Sequence, residues 1–198
     1  MRKHNIIIGK KVKNIPKNWM LRIIAGKYRH LQIKSPDVDT TRPTTDKVRE
    51  ALMSILSFNI PSKNVLDLFA GSGALGLESL SRGAASCYFV DTNKNAYKAI
   101  KDNIKSLKVE EPTYVYLEDY KTFLNNHKDT KFGLVFLDPP YKMKEVYNEI
   151  VDFLFEYDML TEDCVIVKEC DEFFEDDNRF RKYKTYKYGI IRVSVYWR

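Results

Sequence analysis

The sequence predicts an α/β fold: a doubly wound, mostly parallel sheet with helices on both faces, a C-terminal antiparallel hairpin and a small N-terminal extension. Two observations predict it. From residue 64 onward, short apolar runs typical of buried parallel strands alternate with helical stretches, and two alternating stretches flank Gly189. The strand-like runs are 65–69, 87–90, 114–117, 134–137 and 165–167, the helical stretches lie near 74–82, 93–107, 119–127 and 143–157, and the hairpin strands are 182–188 and 190–197.

The chain divides near residue 60 into a short N-terminal unit and a larger α/β domain. Its 198 residues are enough for one domain with a substantial core. We expect 1–19 to be a basic flexible arm or a start-site extension, and 20–60 to hold a hairpin and one helix that position the target. Proline and hydroxyl residues in Arg42-Pro43-Thr44-Thr45-Asp46 signal the start of that helix. The remainder, 61–198, is the predicted catalytic domain.

The net charge of +6 conceals an uneven distribution of charged residues. Residues 1–36 contain ten Lys or Arg and 179–198 contain seven, and neither stretch has an acidic residue. The stretch between them holds the other 16 basic residues and all 27 acidic ones, a net charge of −11. A basic head and tail on an acidic body are typical of a polyanion-binding enzyme if both ends lie beside one cleft; a solubilising surface is the alternative.

Other features limit the classes of protein. No apolar run approaches the roughly 18 residues of a membrane span, so we expect a cytoplasmic protein without a membrane partner. The three histidines are scattered, so no metal site is predicted. We also expect a monomer with no obligate protein partner. The three cysteines form no CxxC pair and are predicted to be reduced, buried thiols; they are Cys87, Cys164 and Cys170.

A strand that runs into a glycine turn, Asp67-Leu68-Phe69-Ala70-Gly71-Ser72-Gly73, predicts a cofactor site. Continued to Gly76, it satisfies GxGxxG, so a nicotinamide enzyme is the first alternative. Asp67 argues against that alternative, because its carboxylate would face a pyrophosphate of like charge. S-adenosylmethionine (SAM) instead offers an ammonium for Asp67 and a carboxylate for amides of the turn. The predicted contacts here are Asp67, Phe69, Gly71 and Gly73.

Two further acids support an adenosine ligand. Asp91 closes the next strand, 24 residues after Asp67, where an acid accepts both ribose hydroxyls in nicotinamide and SAM enzymes alike. Asp119 follows the third strand, with Tyr120 beside it. Its carboxylate either accepts from the adenine amino group or caps a helix N-terminus. Asp91 therefore indicates adenosine without choosing between the two cofactors.

The segment Asp138-Pro139-Pro140-Tyr141 follows the fourth strand and predicts a site for methylating an amine. In an open α/β sheet the functional crevice lies outside the carboxyl ends of the strands, so this corner and the glycine turn converge. An exocyclic amine on a base is a poor nucleophile because its lone pair is delocalised into the ring. Hydrogen bonds from its two N–H groups to the Asp138 carboxylate and the Pro139 carbonyl favour a tetrahedral nitrogen and free the lone pair. The prolines fix the backbone and Tyr141 offers a face for stacking, although the tetrapeptide alone is also compatible with an ordinary turn.

With these residues in place, the chain resembles the bacterial small-subunit rRNA guanine-N2 methyltransferases of the RsmD group, from about Met20 to Tyr196. Two of the matching segments, 67–78 and 138–141, are shared with many amino methyltransferases. The segment Thr41-Arg42-Pro43-Thr44-Thr45-Asp46-Lys47-Val48-Arg49-Glu50 is the discriminating one. The remaining segments are 21–29 and 81–84.

The resemblance implies a class I methyltransferase fold, which is Rossmann-like, with SAM as the donor. It also implies that the target is a guanine exocyclic amine in 16S rRNA, either free or in the assembled small ribosomal subunit. By position, the resemblance implies roles at the methionine end for Asp67, Gly71 and Gly73, at the ribose for Asp91, at the adenine for Asp119, and at the target base for 138–141. It also implies that four residues over the cleft mouth seat the RNA, with helix capping and surface charge as the alternative; they are Arg42, Thr44, Thr45 and Arg49.

The chain departs from the family in two places. His30 stands where a glycine is usual, which predicts a different turn in the N-terminal hairpin. The stretch 1–19 is absent from typical members, and an added RNA-binding arm is one explanation for it.

Three other functions remain as alternatives. A DNA adenine-N6 methyltransferase can use the same corner, although 198 residues leave no obvious domain for reading a DNA sequence. A glutamine methyltransferase usually has asparagine at the position of Asp138. A non-catalytic nucleic-acid-binding protein that keeps the fold as a scaffold is disfavoured by the intact acids Asp67, Asp91 and Asp138.

Overall fold

The protein is described here by a computed structural model that covers residues 20–36, 46–140, 143, 146–170, 177–189 and 191–198. The strands are β1 (Met20–Arg22), β2 (Gln32–Lys34), β3 (Asn64–Asp67), β4 (Ser86–Asp91), β5 (Thr113–Leu117), β6 (Phe132–Leu137), β7 (Leu160–Cys170), β8 (Lys182–Tyr188) and β9 (Ile191–Trp197). The helices are α1 (Asp46–Ile55), α2 (Ala74–Ser81), α3 (Lys94–Leu107), α4 (Tyr120–Asn126) and α5 (Val146–Glu156).

Seven strands form one sheet in the order β5-β4-β3-β6-β7-β9-β8, and β1 pairs with β2 in a separate antiparallel hairpin. Strands β3 to β7 run parallel, whereas β9 is antiparallel to both β7 and β8. The chain goes from β3 outward to β4 and β5, then returns to place β6 on the other side of β3. Open α/β sheets bind ligands at such a reversal, beyond the carboxyl ends of the strands. The predicted doubly wound sheet and C-terminal hairpin are confirmed.

Two hydrophobic cores cover the two faces of the sheet. Helices α1, α2 and α3 pack on one face, and α4 and α5 pack on the other. All six residues of β6 are buried, because this central strand has helices on both sides. That burial explains the continuous apolar runs from which the parallel strands were predicted. The first core includes Leu52, Leu77, Ile100, Val65 and Phe136, and the second includes Leu124, Leu154, Leu66 and Val135.

Strand β7 is longer than its apolar pattern predicts. It begins at Leu160 rather than at residue 165, because Leu160 already pairs with Phe132 of β6 before the register shifts. Strand β3, in contrast, ends at Asp67, and Leu68 and Phe69 already belong to a turn. Pairing with neighbouring strands therefore sets the start of β7 and the end of β3. A local sequence pattern carries no information about that pairing.

The N-terminal hairpin docks on α2 through a buried carboxylate. Glu78 is fully buried and accepts hydrogen bonds from the amides of Ile24, at 2.8 Å, and Ala25, at 3.0 Å. The Arg82 side chain donates to the same carboxylate at 2.9 Å, which balances its charge. The Ser81 hydroxyl donates to the Ala25 carbonyl. These bonds attach a hairpin with only three residues in each strand to the catalytic domain.

The hairpin closes with His30 in an unusual backbone conformation. Its φ is 70°, in the left-handed region that glycine favours. Histidine is one of the side chains found there more often than most. The His30 amide donates to the Ile23 carbonyl at 2.9 Å, so the histidine occupies the turn while the hairpin stays paired.

Cys87 and Cys164 are buried free thiols, as predicted. Burial raises the pKa of both, that of Cys164 to about 12, which keeps them protonated. Within the described ranges, no helix has the length and apolar character of a membrane span, and no three potential metal ligands cluster. The stretch 1–19 lies outside the described residues, and the domain limits at 20 and 60 stay predictions.

Candidate active site

The glycine turn joins β3 to α2 at the centre of the sheet's carboxyl edge. Asp67, the last residue of β3, is 3% exposed, and its Oδ2 accepts the Gly76 amide at 3.1 Å. The Gly71 amide donates to Asp91 Oδ2 at 2.8 Å, and the Gly73 amide donates to the Ala70 carbonyl at 2.7 Å. Contact between amides of the turn and a ligand carboxylate therefore stays a prediction, and the N–H groups of these two glycines are bonded within the protein. Both glycines shape the turn, and their N–H groups are used within it.

The environment of Asp67 raises its pKa to about 7. Burial is the main cause and the charge of Asp91 adds to it, while the bond from the Gly76 amide opposes them. Among the described residues, no cationic side chain pairs with Asp67. A buried carboxylate with one amide partner is suited to a ligand that brings its own positive charge.

Asp91 ends the neighbouring strand β4 and links it to the turn. Its Oδ2 accepts from Gly71 and its Oδ1 accepts from the Asn93 amide at 2.8 Å. An ionised carboxylate has about four acceptor positions, so each oxygen keeps one for a ligand. Two oriented oxygens at the end of a strand can accept from a pair of adjacent hydroxyls.

Asp119 caps α4, as one of its two interpretations predicted. Its Oδ1 accepts from the amides of Lys121, at 2.9 Å, and Thr122, at 3.0 Å. The Thr122 hydroxyl donates to Oδ2 at 2.8 Å. These bonds hold the pKa of the carboxyl below its usual range. Contact with an adenine stays a prediction, and it would use the remaining acceptor positions of this exposed side chain.

Tyr120 and Phe69 form an aromatic wall next to this cap. Their ring centroids are 6.0 Å apart, with the planes tilted by 48°. The Tyr120 hydroxyl donates to Glu149 of α5 at 3.1 Å, so its ring is held between the two helices. Phe69 is half-buried in the turn after β3. The two rings therefore lie between the glycine turn and the start of α4, where a flat ring can pack.

The corner after β6 lies beside the glycine turn. Asp138 directly follows β6, which is the neighbour of β3. Pro139 is buried and Pro140 is exposed, and the Pro140 carbonyl accepts the Met143 amide at 2.8 Å. The predicted stacking residue Tyr141 lies outside the described residues. The corner and the turn thus converge at one edge, as the sheet topology predicts.

The pKa of Asp138 is well above its usual range. The main cause is the loss of water around the carboxyl group, because desolvation disfavours its charged form. The negative charges of Glu169 and Asp67 raise the pKa further. Part of the residue nevertheless remains exposed to solvent. Asp138 is therefore an open acceptor in a negatively charged environment, and such an environment attracts a cationic group.

The four residues expected to seat the RNA divide into two groups. Arg42, Thr44 and Thr45 lie outside the described residues. Arg49 is 1% exposed and donates to the Arg22 carbonyl at 2.6 Å and to Asp46 Oδ1 at 2.9 Å. The buried guanidinium fastens the first turn of α1 to β1, and this argues against the expected contact with RNA. We assign Arg49 a structural role.

Asn103 of α3 is a connecting residue that the sequence patterns did not indicate. It is 1% exposed, accepts from the Lys34 amide at 2.8 Å and donates to the Lys34 carbonyl at 2.9 Å. The same amide group donates to the Ser72 carbonyl at 3.0 Å. One side chain therefore ties the end of the N-terminal hairpin to the glycine turn. A lone Asn on a helix gives no local signal for this, because both partners are distant in sequence.

Comparison with known proteins gives a consistent picture. The family model described as "Conserved hypothetical protein 95" matches residues 21–197. The YlbH protein of Bacillus subtilis is 36% identical over 181 residues, which cover 89% of this chain and 98% of that protein. Ribosomal RNA small subunit methyltransferase D of Escherichia coli is 35% identical over 151 residues, which cover 76% of this chain and 75% of that protein.

A solved structure extends the likeness to three dimensions. The yhhF protein of Escherichia coli matches with a TM-score of 0.80 and 30% identity, over 91% of this chain and 98% of that one. The predicted class I methyltransferase fold is thereby confirmed. The match of the family model over almost the whole chain, together with the Escherichia coli relative, confirms the resemblance first seen in the motifs. The chain belongs to the "Conserved hypothetical protein 95" family, that of the RsmD-type rRNA methyltransferases.

Proposed function

We propose that this protein transfers a methyl group from SAM to the exocyclic N2 amine of a guanine in the 16S rRNA of the small ribosomal subunit. The observation that carries this proposal is the convergence of the Asp138 corner with Asp67 and Asp91 at the carboxyl edge of neighbouring strands. Acceptors for an amine and acceptors for a cationic, ribose-bearing donor thus share one crevice.

The relatives support the substrate class. The Escherichia coli relative, which this chain matches over three quarters of its length, is named for the small-subunit ribosomal RNA. The comparisons lend no support to DNA adenine as the target, and we do not retain that alternative. Guanine N2 is the finer part of the proposal, and it rests on the amine-binding corner and on the RsmD-type motifs of the sequence.

The acidic residues fit SAM. SAM supplies an electrophilic methyl on a positively charged sulfonium and also carries an ammonium. Asp67 would pair with the ammonium, because it is a buried carboxylate without a cationic side-chain partner in the described structure. Asp91 would accept the two ribose hydroxyls with its remaining lone pairs. Asp119, Tyr120 and Phe69 would border the adenine.

The corner would activate the amine by binding it. Asp138 and the Pro139 carbonyl accept its two N–H groups, which turns the nitrogen lone pair away from the ring and toward the methyl group. Bound SAM would supply the methyl group, and the electrons of the broken S–CH3 bond would stay with the sulfur. The methylated nitrogen would then be positively charged and would have to lose a proton. The adjacent Asp138 carboxylate would accept that proton or pass it to water. The exposure of Asp138 gives the proton a path to solvent.

The C-terminal hairpin offers a basic surface for the RNA. Lys182 and Lys184 lie on one face of the edge strand β8 and are exposed. Lys182 lies 5.0 Å from the ring centroid of Trp197, and Lys184 lies 5.0 Å from that of Tyr186. Lysines interleaved with aromatic rings suit phosphates and unstacked bases. Affinity for rRNA through this surface should fall steeply as salt rises.

SAM affinity should fall as the pH drops below about 7. Asp67 is partly protonated there in the free protein, whereas pairing with an ammonium requires its ionised form. Binding must then release a proton, and affinity should weaken by up to about tenfold per pH unit. Calorimetry at about pH 6 and pH 8, in two buffers of different ionisation enthalpy, measures both effects.

The control for this prediction is Asp67→Asn, which keeps an acceptor for Gly76 but cannot titrate. It should bind SAM weakly and with little pH dependence between those values. Equal affinity of the unaltered protein at both pH values, with no proton release, would contradict the assignment of Asp67.

The proposed function is tested in cells of the source organism. Deleting the gene should remove one N2-methylguanosine from digested 16S rRNA, and a plasmid copy should restore it. A copy carrying Asp138→Ala should not restore it. An unchanged content of N2-methylguanosine after deletion would refute the proposal.

A further inference from the structure

Three acidic residues lie on one face of the sheet at its carboxyl edge. Asp67 of β3 pairs with Phe136 of β6, and Phe136 pairs with Val167 of β7, so these side chains share a face. Asp138 and Glu169 each lie two residues further along their chain segments, which returns both to that face. Because Leu137 of β6 pairs with Lys168 of β7, the next residues, Asp138 and Glu169, lie level with each other on adjacent chain segments, about 5 Å apart.

The surroundings hold Glu169 in this place. The hydroxyl of Tyr147, a residue of α5 that is 2% exposed, donates to the Glu169 backbone carbonyl. The preceding residue, Lys168, points to the opposite face, where its Nζ lies 4.6 Å from the ring centroid of Tyr196. Glu169 itself is half-buried, and its charge is one of the causes that raise the pKa of Asp138. A second carboxylate therefore borders the amine-binding corner.

Guanine and adenine differ at the atom next to their exocyclic amine. In guanine the neighbouring N1 carries a hydrogen and is a donor, whereas in adenine the neighbouring N1 is an acceptor. Enzymes that extrude a base read this edge by hydrogen bonds. Asp138 and the Pro139 carbonyl are occupied by the two amine hydrogens in the proposed function, so neither is left for N1. A carboxylate beside them accepts from guanine N1–H and repels the adenine lone pair.

We propose that Glu169 selects guanine by accepting a hydrogen bond from its N1–H. The inference rests on the proposed function, because it places a guanine amine at Asp138. A charged acceptor makes this bond stronger than a neutral one would be. Substrate specificity is thereby separated from amine activation: Asp138 and Pro139 serve any such amine, while Glu169 recognises the base that carries it.

The test changes the hydrogen-bonding group at N1 of the base and, separately, the hydrogen-bonding group at residue 169. The substrates are small subunits whose 16S rRNA carries, at the mapped target position, either guanine or 2-aminopurine, which keeps the 2-amino group but has an acceptor at N1. The unaltered protein should methylate the guanine substrate with a kcat/KM about 10- to 100-fold higher. Glu169→Gln offers an amide N–H to the acceptor, so this preference should shrink at least about tenfold. 2-Aminopurine also lacks the O6 atom of guanine. An effect of O6 is the same for the unaltered protein and the Glu169→Gln variant, so it cancels when their preferences are compared.

Glu162→Gln is the matched control, since Glu162 is an exposed residue on the same strand and away from the carboxyl edge. It should leave the preference unchanged. An identical guanine preference in Glu169→Gln and the unaltered protein would overturn the inference while leaving the proposed function intact. Equal rates of the unaltered protein on both substrates would also overturn it, even if the variant failed to fold. Absence of methylation on the guanine substrate would instead refute the proposed function.

Discussion

Replacing Asp138 with alanine is expected to lower methyl transfer by about 100- to 1,000-fold, the usual cost of removing one group that stabilises a transition state. The variant loses the carboxylate that accepts an amine hydrogen and later the released proton. Because Asp138 is an exposed residue in the segment after β6, no core contact is lost with it. SAM affinity should change little, since Asp67 and Asp91 remain.

The measurement is single-turnover transfer of labelled methyl to small subunits, together with calorimetry of SAM binding. Asp129→Ala is the matched control, because Asp129 is an exposed acid in the turn after α4 and should be dispensable. Full transfer by the Asp138 variant would contradict the assigned mechanism. Loss of SAM binding together with activity would make Asp138 a cofactor residue instead.

Replacing Gly26 with alanine is expected to undock the N-terminal hairpin. A Cβ at this position would lie 1.8 Å from the Ser81 carbonyl oxygen, a backbone atom, and the φ of Gly26 is +85°, where L side chains are strained. The two effects together should cost about 3–5 kcal/mol of folding free energy. Gly83→Ala separates them: its φ is +95°, but nothing lies within 4 Å of its Cβ, so about 1–2 kcal/mol is expected.

Urea unfolding measures the two free energies, and hydrogen exchange locates the effect. The amides of Ile24 and Ala25 are held by Glu78, so they should lose protection in Gly26→Ala and keep it in Gly83→Ala. Equal destabilisation by both substitutions would show that the clash with Ser81 adds nothing to the loss of folding free energy in Gly26→Ala. rRNA methylation should fall more than SAM binding in Gly26→Ala if residues 20–60 position the target.

The sequence patterns located the helices and most strands because strands that are buried on both faces are apolar throughout, and helices that pack on a sheet have an apolar face. β6 is apolar throughout, and α3 alternates its buried residues with lysines. The catalytic corner and the acids at the strand ends were found because topology places such ends together. Asp119 was ambiguous because one residue type suits both a helix cap and an adenine, and its cap is now visible.

The residues that the sequence patterns misplaced or did not indicate depend on distant partners. Arg49 sits in a polar motif and was expected over the cleft mouth in contact with RNA, but its guanidinium binds the Arg22 carbonyl 27 positions away. Asn103 binds partners 69 and 31 positions away. The position of Glu169 beside Asp138 follows only from the register between β6 and β7. Local patterns carry no record of such pairings.

In the proposed function, the crevice formed by Asp67, Asp91 and Asp138 methylates guanine N2 in small-subunit rRNA. A decisive experiment incubates small subunits from cells lacking the enzyme with purified protein and labelled SAM, and then analyses the digested nucleosides by mass spectrometry. We expect label in N2-methylguanosine of 16S rRNA, and none with the Asp138→Ala protein. Label in another nucleoside, or no label in rRNA while SAM still binds, would contradict it.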